Sequence, residues 1–199
     1  MAVLIPVYWK NYGLTNFLYF CDVALLLTLV GVWTENRLLF SMSAVGILLP
    51  QALWCVDFVA QLAGYKLTGM TAYMFDANRS LFLRGLSLFH GWLPFLLVYC
   101  VWKVGYDRRA LASWTVLAWA LCLVSYFWLP AVGAHLADSS IPINVDYVWG
   151  LDDSKPQGWL SAPAYLVVWM GALLMVAFIP VHFLLRRFFG RAGDLRLSQ

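Results

Sequence analysis

The sequence predicts an all-α protein, a polytopic transmembrane helical bundle of about five spans with an amphipathic connector and an outer polar loop. It forms one integral membrane domain over residues 1–199. Hydrophobic residues make up 63% of the chain and charged residues 12%, whereas soluble domains carry about 25% charged residues. The apolar residues also come in runs near the ~20 residues that a helix needs to cross a bilayer. Many of the 34 aromatic residues (11 Trp, 10 Tyr and 13 Phe) fall near the ends of these runs, as interfacial aromatic belts do.

Each predicted span covers about 30 Å or slightly more at a rise of about 1.5 Å per residue. The turns 34–37 and 105–109 are short, so each predicts an antiparallel pair of helices. The connector 63–80 is amphipathic and predicts a re-entrant or interfacial segment. The loop 132–158 is rich in acids and predicts an ordered polar cap or a mobile lid. The predicted spans are 14–33, 38–62, 81–104, 111–131 and 159–185.

Five spans place the two termini on opposite sides of the membrane. The side with the two short turns and the C-terminus carries eight Lys and Arg residues against five on the other side. This bias predicts a cytoplasmic C-terminus and an N-terminus outside. Because the basic residues lie at span ends, the net charge of +3 does not suggest a nucleic-acid partner. The eight are Arg37, Lys103, Arg108, Arg109, Arg186, Arg187, Arg191 and Arg196, and the five are Lys10, Lys66, Arg79, Arg84 and Lys155.

Ionisable residues inside the apolar spans are the best indication of function, because a charged side chain in hydrocarbon is costly and usually faces the protein interior. Asp22 and His90 each lie about 12–13 Å inside the outer end of their spans. Asp57 lies nearer the surface, so we interpret it as partly solvated and the most expendable of the three. The spacing of Asn16, Tyr19 and Asp22 places them on one helix face. Four spans thus contribute to one polar layer in the outer half: Asn16, Asp22, Gln51, His90 and Ser125.

An Asp–His pair can orient an imidazole that serves as a general base. The base would act on a water or a hydroxyl, and the candidate hydroxyls are Tyr19, Ser125, Ser87 and Thr15. Pro94, four residues after His90, removes a hydrogen bond to the His90 carbonyl and loosens that turn of the helix. His135 and His182 are interpreted as interfacial.

Other kinds of site find little support in the sequence. It contains no G-x-S-x-G, HExxH or P-loop motif. The four cysteines, Cys21, Cys55, Cys100 and Cys122, form no CxxC or Cys/His pattern, so they predict neither a zinc site nor a disulfide framework. We therefore predict no cofactor and no metal site, and one mid-membrane histidine argues against bis-His haem.

Two segments resemble the androgen-induced membrane hydrolases, a family of threonine hydrolases that act on branched fatty-acid esters. The segment 11–22 resembles the family's Phe-Leu-Thr-Phe-x-Asp pattern, and 88–96 resembles its histidine-containing span, which runs into Leu-Pro-Phe. The aromatic segment 145–149 also resembles the stretch before the family's last span. The resemblance, which extends to related bacterial integral membrane proteins, covers about half of the chain. It implies a helical membrane fold and a catalytic His90, with Tyr19 at the position of the family's nucleophilic Thr.

Two functions from different classes follow. The leading hypothesis is a site in the outer half of the bundle that acts on a lipid or fatty ester. In it His90 is the base, Asp22 is its partner or an anchor on the side of the nucleophile, and Tyr19 is a hydrogen-bonding or nucleophilic hydroxyl. The alternative is a non-catalytic accessory or scaffold subunit of a larger membrane complex, with Asp22 and His90 joining helices. Membrane lipids are the expected partners, and membrane-protein subunits are added under the alternative. Proton or ion movement ranks last, because the inner half offers little beyond Ser41 and Ser43.

Overall fold

The computed structural model describes residues 1–134, 141–152 and 155–194, with side chains up to residue 190. This part of the chain is helical and contains no β-strand, which confirms the predicted all-α bundle. Short 3₁₀ turns at Leu14–Leu18, Ala72–Met74 and Val145–Tyr147 and a π turn at Leu173–Phe178 join the helices. The helices are α1 (Leu4–Tyr12), α2 (Phe20–Thr34), α3 (Arg37–Leu62), α4 (Leu81–Leu86), α5 (Phe89–Val104), α6 (Ala110–Trp128), α7 (Ala162–Ala172) and α8 (Ile179–Asp194).

Within residues 1–134, 141–152 and 155–194, four helical stretches are long and apolar enough to cross a membrane, judged by length and composition. They are Arg37–Leu62, Leu81–Val104, Ala110–Trp128 and Ala162–Gly190. They correspond to the second to fifth predicted spans, with ends that differ by a few residues. The stretch Leu81–Val104 has a turn at Ser87 and Leu88, between α4 and α5. These helices are those of a multi-pass membrane protein.

The first predicted span, 14–33, is wrong as one continuous helix. The chain is extended at Tyr19 (φ −58°, ψ 138°), and the regular helix begins only at Phe20. Helix α2 therefore has 15 residues and a length of about 22 Å. Asp22 lies in its first turn instead of two turns inside a longer helix. The physical reason is a cap supplied by a distant side chain, which is described with the candidate site below.

Helices α2 and α3 form the predicted hairpin. Glu35 is left-handed (φ 50°), and the Asn36 side chain accepts hydrogen bonds from the N–H groups of Leu38 and Leu39. This capping satisfies donors that the start of α3 would leave unpaired. The Ser43 hydroxyl donates to the Ala24 carbonyl at 3.2 Å and fixes the register of α2 against α3.

Helix α3 is the central element, because it packs against α2, α5, α6 and α8. Where it packs on α6, Gly46 faces the indole of the fully buried Trp114. The Phe20 ring meets the same indole edge-on, with ring centroids 6.1 Å apart. Residues of α2, α3 and α6 thus meet at one level of the core.

Polar side chains cluster at both ends of the bundle; those at one end are described here and those at the other with the candidate site. We call the end with the turns 34–37 and 105–109 the turn end, and the end with the segments 63–80 and 129–161 the loop end. At the turn end, the Asp107 backbone N–H donates to the Ser41 hydroxyl at 2.9 Å. His182 is buried there and its Nδ1 bonds to the Tyr106 hydroxyl at 2.7 Å. His182 thus lies at the level of the 105–109 turn, covered by the protein, and its predicted interfacial depth stays a prediction; His135 lies outside the described residues.

We expect acid to weaken the turn end through Asp107. Hydrogen bonds from the Arg109 guanidinium and N–H, together with the charges of Arg109 and Arg37, hold the pKa of Asp107 below its ordinary 3.8 although burial opposes this. A carboxyl with a lowered folded-state pKa stabilises the fold above its ordinary pKa and loses that contribution as the pH falls through the folded value. Asp107→Asn should therefore melt below the wild type near neutral pH, and the gap should close below about pH 4. Thermal melts of both proteins in detergent measure this, and a gap that persists unchanged into acid would contradict the assignment.

Candidate functional site

Asp22 and Asn16, which the sequence places on one helix face, do meet at the loop end. The Asn16 amide donates to Asp22 Oδ2 at 3.2 Å, and both side chains are buried. The contact arises differently from the prediction, because the chain breaks at Tyr19 and the Leu14–Leu18 turn folds back beside the start of α2. Asp22 Oδ1 has no hydrogen-bond partner. Half of this buried carboxylate is thus available to another group.

Asp146 is the residue of this site that sequence reasoning missed. Its Oδ1 accepts a hydrogen bond from the backbone N–H of Phe20 at 3.0 Å, so it caps α2 from 126 residues away. Its side chain is 5% exposed, and burial raises the pKa of this carboxyl well above its ordinary value. A lone acid within the apolar and aromatic segment 145–149 is the one sequence signal for its burial.

The backbone that presents Asp146 is strained. Asn144, Asp146 and Tyr147 all have positive φ, between 51° and 59°, a conformation that costs non-glycine residues free energy. Hydrogen bonds hold the segment in place: the Asn144 amide group bonds to the Gly150 carbonyl and the Trp149 N–H. The Trp169 indole donates to the Asp146 carbonyl at 2.8 Å. This fixed geometry directs the Asp146 carboxylate at the start of α2.

His90 lies at the start of α5 and is held by a backbone group. Its Nδ1 lies 2.8 Å from the Ser87 carbonyl oxygen. Because a carbonyl only accepts, Nδ1 must carry the proton, which leaves Nε2 as the proton acceptor of the neutral ring. The imidazole stacks on the Trp54 indole at 4.9 Å and lies against Phe89. The His90 carbonyl, which Pro94 leaves without its helical partner, lies 3.7 Å from the Cys55 thiol.

The predicted contact between Asp22 and His90 is absent from the described residues, in which no hydrogen bond or ion pair joins them. The Ser87 carbonyl orients the imidazole instead. Tyr19 is half-buried and occupies the N-cap position of α2. Asp22 and Tyr19 therefore belong to the start of α2, whereas His90 belongs to the start of α5.

Two tyrosines that the sequence did not indicate bond to residues that contact His90. The Tyr8 hydroxyl shares a 2.8 Å hydrogen bond with the Ser87 hydroxyl, and the Trp54 indole donates to the Tyr73 hydroxyl at 3.2 Å. Burial raises the pKa of both phenols above the ordinary 10.0. They are therefore neutral at physiological pH and able to donate hydrogen bonds.

Asp57 is not the solvated, expendable residue that its position near the helix end predicts. It is 1% exposed. Its carboxylate accepts hydrogen bonds from the N–H groups of Thr68, Gly69 and Thr71 and from the Thr71 hydroxyl at 2.6 Å. A buried carboxylate that collects backbone donors organises the chain around it. Asp57 thus anchors the connector 63–80 that carries Tyr73.

The two remaining polar residues of the predicted layer, Gln51 and Ser125, are also buried. Gln51 is 2% exposed and Ser125 1%. Among the described residues, the amide oxygen and nitrogen of Gln51 and the hydroxyl of Ser125 have no hydrogen-bond partner. Buried polar atoms are nearly always paired, so such orphans point to a water, an ion or another group at the site.

An apolar groove of about 340 Å³ runs along the outside of α1, α2, α4 and α5. Phe89 and Trp92, which flank His90 in the sequence, contribute to its wall, as do Leu25 and Thr28 of α2. Its volume is at the lower end of the ~300–1,000 Å³ typical of small-molecule pockets. The groove passes beside the helices that carry Asp22 and His90.

Comparison of the chain with protein-family models, with curated proteins and with solved structures finds no match in any of the three. The resemblance to the androgen-induced membrane hydrolases therefore stays a prediction.

Proposed function

We propose that this protein is a membrane-embedded hydrolase of lipid or fatty-acid esters, with His90 at its reactive centre. The observation that carries the proposal is the fixed orientation of the imidazole. The Ser87 carbonyl holds Nδ1, so Nε2 is the basic atom. A general base needs this arrangement of one oriented nitrogen and one free to take a proton.

The neighbouring groups have complementary roles in ester hydrolysis. His90 Nε2 takes a proton from the attacking water or hydroxyl while the oxygen of that nucleophile bonds to the ester carbonyl carbon. Breakdown of the intermediate then releases the alcohol, which receives the proton from the imidazolium. With water as the nucleophile the other product is the free fatty acid. With a protein hydroxyl it is an acyl-enzyme, which a water activated by His90 hydrolyses in a second round that returns the proton to the hydroxyl. The Tyr8 and Tyr73 phenols are neutral donors suited to the negative charge that develops on the carbonyl oxygen. Tyr19 remains the hydroxyl that the family resemblance assigns to the nucleophile position.

The groove supports an apolar acyl chain as the rest of the substrate. It is lined almost wholly by apolar side chains, among them Leu4, Leu25 and Leu96. A lipid in the bilayer would reach it laterally without crossing water. The excess of Lys and Arg at the turn end supports a cytoplasmic location for that end and an outer-leaflet location for the reactive centre.

The test is hydrolysis of fluorogenic fatty-acid esters by the purified protein and by His90→Ala. Loss of a general base typically costs about 10²–10⁴-fold in rate, and we expect a loss in this range. His182→Asn, which alters the buried histidine at the turn end, is the matched control and should retain activity. Equal rates in the wild type and His90→Ala, or no hydrolysis by either, would overturn the proposal.

One observation favours a second candidate, the non-catalytic scaffold. Asp57 and Asp107 show that buried acids in this fold serve as structural anchors, and Asp22 with Asn16 fits the same role. Under this reading the protein is a subunit of a larger membrane complex. Stable co-purification of a partner from solubilised membranes, with no labelling by covalent hydrolase probes, would favour it over the enzyme.

A further inference from the structure

Two buried carboxylates at the loop end have no positive partner within the part of the chain that the structure describes. Asp22 and Asp146 are 4% and 5% exposed. Among the described residues no Lys, Arg or His forms a hydrogen bond or ion pair with either. Each also keeps one oxygen without a partner, Oδ1 of Asp22 and Oδ2 of Asp146. Burying a carboxylate costs several kcal/mol unless its charge is compensated, so the pair calls for a positive ligand.

The two carboxylates face the same small volume at the start of α2. Asp146 binds the N–H of Phe20, the first residue of the helix. Asp22 is the third residue, a position whose side chain reaches back toward the N-cap, as in a capping box. The backbone donor occupies one Asp146 oxygen and leaves the other directed elsewhere.

Helix register places Gln51 of α3 on the loop-end side of this volume. Ser43 of α3 bonds to Ala24 of α2. From this contact, the later residues of α3 and the earlier residues of α2 both lie toward the loop end. Side chains on a helix tilt toward its N-terminus. The Asp22 side chain therefore leans toward the loop end. The Gln51 side chain leans toward the turn end, and so toward Asp22. Both amide atoms of Gln51 are buried and unpartnered.

Ser125 approaches from α6. The next residue, Tyr126, stacks on the Trp149 indole at a centroid distance of 4.4 Å. Trp149 follows Asp146 by three residues, and the Val145–Tyr147 turn packs against α6. The Ser125 hydroxyl is buried and lacks a partner. An amide oxygen and a hydroxyl oxygen thus accompany the two carboxylates.

We propose that Asp22, Asp146, Gln51 and Ser125 form a binding site for one hard divalent cation of the calcium type. Two carboxylates balance a charge of +2, and a mixture of carboxylate, amide and hydroxyl oxygens is the ligand set that such cations take. In the part of the chain that the structure describes, no group of three or more His, Cys, Asp or Glu side chains could hold a metal ion, so the proposed site depends on the neutral oxygens of Gln51 and Ser125 beside the two carboxylates. The neutral oxygens, which come from distant segments, explain why the sequence pattern predicts no metal. This site does not depend on the proposed hydrolase activity.

The experiment uses the full-length protein in detergent after treatment with a chelator. Thermal unfolding is followed while CaCl₂ is added, with MgCl₂ and NaCl in parallel, and bound metal is measured by mass spectrometry after desalting. We expect Ca²⁺ to raise the melting temperature saturably and to remain bound at one ion per chain. Asp146→Asn should lose both effects. Asp107→Asn, which removes a buried carboxylate at the turn end, should keep them.

Ser125→Ala is a second variant that keeps the test valid if Asp146→Asn fails to fold. It removes one neutral ligand, and the half-maximal Ca²⁺ concentration should rise while the protein still folds. The proposal is overturned if Ca²⁺ neither binds nor shifts the melting temperature, or if Asp146→Asn and the wild type respond alike. It is also overturned if acidification alone stabilises the chelated protein while Ca²⁺ does not, because protons would then compensate the two carboxylates.

Discussion

Gly46→Ala is expected to lower the free energy of unfolding by about 3 kcal/mol or more, because the added methyl group has no space. A Cβ at position 46 would lie 1.8 Å from the Trp114 indole and 2.1 Å from a second ring atom. Trp114 is fully buried between Phe20 and Phe178, so its ring has no room to withdraw. Overpacking of a core typically costs about 1–3 kcal/mol and occasionally more, and this contact is among the severe cases. Melting in detergent, with unfolding followed by tryptophan fluorescence, measures the effect.

Two other glycines provide the matched controls. A Cβ at Gly85 or Gly91 would meet no atom within 4 Å, and both residues lie in helices. Gly85→Ala and Gly91→Ala should therefore be neutral or slightly stabilising, since alanine is the better helix former. A Gly46→Ala protein that melts with these two would refute the close approach of α3 and α6.

Asp57→Ala is expected to cost about 2–4 kcal/mol and to release the connector 63–80. The substitution removes the acceptor for three backbone N–H groups. The backbone N–H of Thr71 is buried, and leaving a buried donor without an acceptor costs about 1–3 kcal/mol. The Thr71 hydroxyl loses less, because Gln61 Oε1 lies 3.1 Å away as a second acceptor. Thermal melting gives the stability change, and trypsin cleavage at the exposed Lys66 reports release of the connector.

Asp76→Ala is the control from the same connector. Asp76 forms an exposed pair with Arg79, with 38% of each side chain accessible, and such pairs contribute about 0–1 kcal/mol. We expect a small change in melting temperature and slow cleavage at Lys66. If Asp57→Ala behaves like Asp76→Ala, the carboxylate is not the anchor of the connector.

Hydropathy predicts most of the helical architecture because a backbone in lipid must satisfy its own hydrogen bonds within a helix. The four long stretches follow directly from this constraint. The break at Tyr19 does not, because the N–H of Phe20 is satisfied by Asp146, far away in the chain. A local pattern contains no record of a cap supplied in this way, so the residues 14–33 look like one uninterrupted span.

The location of the candidate site was more predictable than the hydrogen-bond partners of its residues. Rise per residue placed Asn16 and Asp22 in one layer, and the structure joins them. The partner of His90 was not predictable, because it is the Ser87 backbone carbonyl and every residue has one. The burial of Asp57 was not predicted, because position along a helix gives depth in the membrane but does not show which other segments shield a side chain from solvent. Here the connector 63–80 folds over Asp57.

The brevity of α2 has a consequence for the surrounding bilayer. The helix is about 22 Å long, some 8 Å less than the ~30 Å hydrocarbon core, and its Val30, Val32 and Trp33 side chains are exposed along its other end. A short hydrophobic segment is accommodated by local thinning of the membrane. Lipid headgroups beside α2 would then sink toward the level of Asn16 and Asp22. The glycerol esters of those lipids would come down to the protein's polar layer, and no lipid would have to be lifted out of the membrane to reach it.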